Sequence, residues 1–481
     1  MRGLAGRWLR RAGDVREGET AALVWSSAYF FFVLSAYYVI RPIRDEMGVA
    51  AGVDRLAWLF TGTLVGMLLL HPVYARLVAR WPRRRFVPLT YRFFILNLVV
   101  FFVLFHAGDA AQGVWIGRVF YIWTSVFNLF VVSVFWSFMT DIYRPSQSRR
   151  LFGMVAVGGT VGAILGSSVT TALVGLLGPV NLLLVSALLL EAAGRASGVL
   201  DGHEPRLAQA ATEEDDAAAR TVVPGDIGVA DRGAGGAPGR AEVIGGGVLE
   251  GIRHVLASPY LLGIAALMML FTIASTFLYF QQAAIVASAF QDDRVGRTRL
   301  FASLDLAVNV LTLVTQVFLT GRIFRWIGIG ASLAFLPLLS AVGFGTLGAA
   351  PVLAVVVAFQ VLRRAGNFAI QRPAREVLYT VLPRTDKYKA KNFNDTLVYR
   401  TGDQVGAWTY TLMASTLGIG LAGLAVAMVP LSAVWLVLAL WLGRRYRALQ
   451  AGRAGPGTPV VQHPPARTGE PSAPHTRRSY V

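Results

Sequence analysis

The chain has 481 residues, of which 55% are apolar and only 15% charged, with a mean hydropathy of +0.54 and a formal net charge of +18. These values exclude a soluble enzyme and define an integral membrane protein. Cysteine is absent and the six histidines show no ligand spacing, so disulfides, thiolate chemistry, metals and cofactors are not expected. No phosphate-cradling GxxxxGK[ST] loop occurs, which removes a nucleotide-hydrolysing motor from consideration.

The first apolar run, Ala21–Ile40, follows a basic N-terminus and carries no charge. About 20 residues rising 1.5 Å each match a hydrocarbon core of about 30 Å, and lipid leaves a helix as the default conformation. The run is too long for a signal peptide and has no small-residue cleavage site, so it is expected to remain as the first span. Further spans are read at 56–73, 86–105, 114–138, 151–176 and 179–195, then at 257–284, 300–320, 327–348, 351–372, 394–418 and 420–442.

The fold class expected is therefore an all-α integral membrane protein of twelve transmembrane helices. The expected domains are a cytoplasmic N-terminus over 1–20, a six-helix bundle over 21–195, a linker over 196–250, a second bundle over 251–445 and a tail over 446–481. The linker is rich in Ala, Gly and charge, and the tail is Pro-rich, so neither has the apolar side chains to build a core. Arginines gather in the N-terminus and in alternate short loops (Arg76, Arg80, Arg83, Arg84 and Arg85; Arg144, Arg149 and Arg150; Arg322 and Arg325). The positive-inside rule then places both termini in the cytoplasm, and the membrane is expected to be a bacterial inner membrane. The basic balance follows from that topology, and no nucleic acid is expected as a partner. Lys387, Lys389 and Lys391 fall in one of these loops, as an orientation signal or as a surface meeting substrate or anionic lipid.

The two halves repeat at an offset of 240 residues. Phe31, Val33, Ser35 and Tyr37 align with Phe271, Ile273, Ser275 and Phe277, while Arg144, Arg149, Gly162 and Gly166 align with Arg384, Lys389, Gly402 and Gly406. Two six-helix pseudo-repeats in parallel are the major-facilitator-like arrangement, in which the first, fourth, seventh and tenth helices line a central cavity. Polar side chains gather on those four helices at helical spacing. They are Tyr37, Arg41, Arg44 and Asp45 on the first; Arg118, Tyr121, Ser125 and Asn128 on the fourth; Ser275, Tyr279 and Gln282 on the seventh; and Arg364, Asn367, Gln371 and Arg375 on the tenth.

Charges at bilayer depth cost at least about 2.5–3.5 kcal/mol each, so they need a compensating role. Arg41, Arg44, Asp45 and Glu46 read either as cavity groups or as an ordinary flank where a helix leaves the membrane. Arg363 and Arg364 project about 100° apart on a helix, so one is assigned to the cavity and the other to a buried carboxylate, Asp305 or Asp403. Arg44 and Arg364 are taken as the principal anion-binding pair. His71 reads as a hydrogen-bonded interior residue in preference to a proton relay, and Gly158, Gly162 and Gly166 as a close-packing stripe.

Three segments carry a resemblance: Tyr38–Asp45 (YVIRPIRD), Phe135–Tyr143 (FWSFMTDIY) followed by Arg149–Gly153, and Tyr399–Trp408 (YRTGDQVGAW). They resemble the ATP/ADP translocase family of plastids and intracellular bacteria, itself a branch of the major facilitators. That family's Arg-Asp-x-Lys-Asp pattern at the end of the first helix maps onto Arg41, Arg44 and Asp45, and its Arg-x-Gly-Lys of the eleventh helix onto Arg400, Gly402 and Asp403. An acidic residue of its fourth helix falls near Thr124 or Ser125 here, and Asp403 reverses a charge, departures that argue against strict ATP/ADP exchange. The resemblance implies a secondary transporter, with Arg400 and Asp403 joining the candidate site.

The function expected is alternating-access transport of an anionic metabolite, a nucleotide or another phosphorylated or carboxylated solute, because the planar fork of arginine suits bidentate contact with such groups. A receptor or assembly protein that keeps the fold but moves nothing is the alternative. Membrane lipids and an anionic small molecule are the expected partners, and the protein is expected to be a monomer.

Overall fold

The computed structural model of the protein describes residues 15–16, 18–205, 207, 209, 258–382, 390–391 and 393–453. Most of the expected linker, the tail beyond 453, and Arg384, Lys387 and Lys389 lie outside the described residues.

Among the described residues every element is helical. The first half runs α1 (Thr20–Ala50), α2 (Leu56–Arg80), α3 (Arg83–Ala107), α4 (Ala110–Ile142), α5 (Pro145–Leu177) and α6 (Leu182–Asp201). The second runs α7 (Pro259–Phe290), α8 (Arg294–Phe318), α9 (Thr320–Ala349), α10, α11 and α12 (Leu421–Arg453). Helix α10 comprises Leu353–Gly366, a π turn over Asn367–Gln371 and Arg372–Leu378. Helix α11 comprises Asn394–Val398, Tyr399–Thr411 and Leu412–Thr416, with π turns at both ends. Among the described residues eleven helices are long and apolar enough to cross a membrane; α11 is not one of them, its central segment being 13 residues long and carrying Arg400, Asp403 and Gln404.

Several helices outrun the expected spans. Helix α1 continues past Ile40 to Ala50 with Pro42 inside it, α6 continues past 195 to Asp201, and α12 past 442 to Arg453. Hydropathy reads only the lipid-immersed stretch, whereas a helix continues wherever its backbone and side chains find partners. Asp201, for example, is held by Arg83 at 2.8 Å and by Arg84 at 2.6 Å.

Buried side chains form two cores. One joins α1 with α3–α6, around Tyr29, Phe127 and Phe135. The other joins α7–α12, around Phe280, Phe344 and Trp435, and takes in the ends of α1 and α2. Outside the cores, Leu69 (68% exposed), Leu188 (73%) and Val437 (67%) turn large apolar surface outward, as lipid solvent requires.

The glycine stripe does pack. A Cβ on Gly158 would stand 2.5 Å from the Ser27 carbonyl oxygen and one on Gly166 2.5 Å from that of Ser35, so α5 lies directly against the α1 backbone. Their counterparts in the repeat behave alike: a Cβ on Gly402 would collide with Thr272, and one on Gly406 would meet the Ile273 Cα at 3.1 Å, setting α11 against α7. The offset of 240 residues is thus a repeat of helix packing as well as of sequence. His71 is exposed on α2, which corrects its reading as an interior residue.

Candidate functional site

The halves meet near the C-terminal ends of α1 and α7. Buried Glu46 of α1 accepts from Arg297 of α8 at 2.9 Å and from Arg294 at 3.3 Å. Asp45 accepts from the Tyr279 hydroxyl of α7 at 3.1 Å, and the hydroxyls of Tyr121 and Tyr279 lie 3.2 Å apart. On α2 and α11, Thr61 and Gln404 bond at 2.9 Å, while Trp58 and Trp408 meet edge to face at 5.0 Å.

Beyond these contacts, toward the N-terminal end of α1, lies a cavity of about 410 Å³. Five arginines line it: Arg41 and Arg44 from α1, Arg363 and Arg364 from α10, and Arg400 from α11. Tyr37, Ser125, Asn128, Tyr279, Asn367 and Asp403, six more of the expected site residues, also line it, as does Ser275. Helix α1 carries its charges inside the bundle: Asp45 is 4% and Glu46 0% exposed, so the reading of this segment as an ordinary membrane flank is set aside.

Four of the five arginines have a carboxylate partner. Arg44 pairs with Asp45 at 2.8 Å, donates to Ser125 at 3.0 Å and sits 4.0 Å over the Tyr121 ring. Arg400 pairs with Asp403 at 3.4 Å. Asp305 of α8 is 1% exposed and is shared between Arg364, at 2.8 Å, and Arg41 across the halves. Arg363 is different. Although only 3% exposed, it has no carboxylate at ion-pair distance among the described residues. Its guanidinium donates to the Phe271 carbonyl at 3.1 Å and to Ser275 at 2.7 Å, and it lies 5.3 Å over the Phe271 ring.

The two α10 arginines therefore exchange the roles expected of them: Arg364 holds the buried carboxylate and Arg363 is the uncompensated charge. Both reach the cavity, because a long flexible stem lets a guanidinium reach back across the 100° that separates neighbouring positions.

Five expected residues do not line the cavity. Asp45 and Tyr121 lie just beyond it in the contacts between halves. Gln282 is 4% exposed and hydrogen-bonded to Gln360. Arg118 stacks 4.5 Å over the ring of Trp115, an exposed residue. Gln371 is buried with both amide atoms unpartnered. For Gln371 the cause is the π turn, whose extra residue rotates everything after it and breaks the stripe that begins at Arg364 and Asn367. Arg375, further along, turns toward Asp395 at 3.8 Å.

Among the lining residues that sequence reasoning missed are Thr63, Leu64 and Met67 of α2 and Gln360, Tyr399 and Gln404. For α2 no signal was available, since Leu64 and Met67 read as ordinary span residues. Tyr399 and Gln404 stood within the resemblance segment of α11 and were legible there.

A twelve-helix bundle of two pseudo-repeats around a charged central cavity defines a solute carrier. A profile of the Major Facilitator Superfamily matches residues 20–377, and the chain belongs to that superfamily. Its fold is similar to that of a bacterial homologue of the human lysosomal transporter Spinster, solved inward-facing and unoccupied (13% identity, 91% of this chain and 98% of that one, TM-score 0.53). It is also similar to an autoinhibited POT family peptide transporter (13% identity, 93% and 99%, TM-score 0.55) and to the nucleoside transporter NupG (10%, 89% and 99%, TM-score 0.52). Among curated protein sequences none matches. The chain is a multi-pass membrane protein of a secondary-transporter family, not of an enzyme family.

Proposed function

We propose that this protein carries an anionic metabolite across the membrane by alternating access around the arginine-lined cavity. The supporting fold neighbours include peptide and nucleoside carriers; such breadth leaves the substrate to be argued from the cavity alone. The single observation that carries the reading is Arg363, a buried guanidinium without a carboxylate at the heart of a cavity that already holds four others. An isolated buried cation is costly unless paired, and an anionic ligand is the group that would pair it. Ring faces of Tyr37, Phe60 and Phe271 beside the arginines suit a solute with both a charged and a planar part, so a nucleotide or another phosphorylated or carboxylated metabolite fits the lining.

With the termini in the cytoplasm, the contacts around Glu46, Asp45 and Trp58 close the outer face, and the cavity faces inward. Binding neutralises the arginines and lets the halves close on the inner side, while the outer contacts release. The sequence carries no GxxxxGK[ST] loop, in keeping with a carrier driven by solute or ion gradients.

Reconstitution tests the reading. In proteoliposomes preloaded with one unlabelled anion, a labelled copy of that anion should accumulate transiently by counterflow, and Arg363→Gln protein should not support it. Uptake of neutral solutes alone, or none from a broad panel of phosphorylated and carboxylated metabolites, would contradict it.

A further inference from the structure

We propose that the cavity selects for two negative charges, so that its substrate class is the dianion: a phosphate monoester in its doubly ionised form or a dicarboxylate. The proposal rests on the anion-carrier reading and sharpens it.

The argument is one of charge balance. The five lining guanidinium groups face three carboxylates, Asp45, Asp305 and Asp403, which leaves an excess of two positive charges. The excess has two definite locations. One is Arg363, which has only a carbonyl and a hydroxyl for partners. The other is the Asp305 clasp, where one carboxylate serves both Arg41 and Arg364, and Arg41 reaches a second carboxylate only at 3.9 Å, on the Asp45 that Arg44 already holds at 2.8 Å. Arg363 and Arg364 are neighbours on α10 and both line the cavity, so the two locations adjoin. A monoanion would answer one and leave a net cation beside groups as buried as Arg363 and Asp305, 3% and 1% exposed, where an unpaired charge interacts more strongly than in water. A trianion would overshoot. A dianion makes the site neutral, with one charge on Arg363 and the second on the shared pair.

The test is calorimetric titration of the full-length protein in detergent, at fixed ionic strength and about pH 8, above the second phosphate ionisation near pH 6. The ligands come in matched pairs that differ in one charge: succinate against its half-amide, ethyl phosphate against diethyl phosphate, and a tricarboxylate as the overshoot control. At least one dianion should bind about 10-fold or more tightly than its singly charged partner and than the trianion. Arg363→Gln should move the preference to the monoanion, and Asp305→Asn should move it to the trianion. If either variant fails to fold, the wild-type series and the other variant still decide. Members of each pair binding within about twofold of one another, or affinity rising steadily through the trianion, would overturn the dianion proposal and leave the anion-carrier reading standing. Failure of every anion to bind would overturn that reading, and the dianion proposal with it.

Discussion

Asp305 shows how a residue's role depends on partners that spacing does not reveal. It was one of two carboxylates, with Asp403, expected to pair with an α10 arginine, but its sharing between two arginines drawn from opposite halves, at 1% exposure, is not visible in the local pattern of α8. Removing Arg364 strips Asp305 of one of its two partners, so Arg364→Gln should lower stability by about 1–3 kcal/mol. Asp305→Asn should be non-additive with it, with a coupling of about 0.5–3 kcal/mol in thermal unfolding of the purified variants. Independent, additive effects would show that the clasp does not exist in solution. That Arg363 and Arg364 differ at all was legible in the sequence, from the 100° between adjacent helical positions. Which of them would find the carboxylate was not, because the choice depends on where α8 sits against α10.

The glycine stripe of α5 was legible as packing because glycine at four-residue spacing leaves a groove that a neighbouring backbone can enter. A Leu at Gly166 would place its Cβ 2.5 Å from the Ser35 carbonyl oxygen, before the rest of the side chain is counted. Gly166→Leu should therefore destabilise the first half by at least about 1–3 kcal/mol, and Gly406→Leu should do the same to the second, read as lower melting temperature in detergent. A normal melting temperature for both would sink the α1–α5 and α7–α11 packing. The π turn of α10 was not legible. A stripe of polar residues at positions 364, 367 and 371 satisfies a regular helix, and nothing in residues 367–371 announces the extra residue that turns Gln371 away from the cavity. Helix α11 was the reverse case: 394–418 was read as a span, but its central segment carries too much polarity to qualify as one by composition.

At the scale of the molecule, the architecture was readable from apolar run length and the internal repeat, while the state of the carrier was not, because a single sequence encodes every state of its cycle. The contacts about Glu46 close one face only, so weakening them should shift the population between faces. The natural chain contains no cysteine, which makes single-cysteine labelling clean. In right-side-out vesicles, Ser275→Cys should be protected from a membrane-impermeant maleimide, and adding Glu46→Gln should raise its labelling rate severalfold. Equal labelling with and without Glu46→Gln would mean that this cluster is no latch. Topology has its own check, since a reporter enzyme active only outside the cytoplasm should be silent after Tyr446 and active near Asp109. The central claim is that Arg363 holds the transported anion, and counterflow of the tightest-binding anion in proteoliposomes tests it most directly. Wild-type protein should exchange that anion, Arg363→Lys should retain partial activity, and Arg363→Gln should lose it with an affinity about 10- to 150-fold weaker. Unchanged affinity and counterflow in correctly folded Arg363→Gln protein would contradict the account.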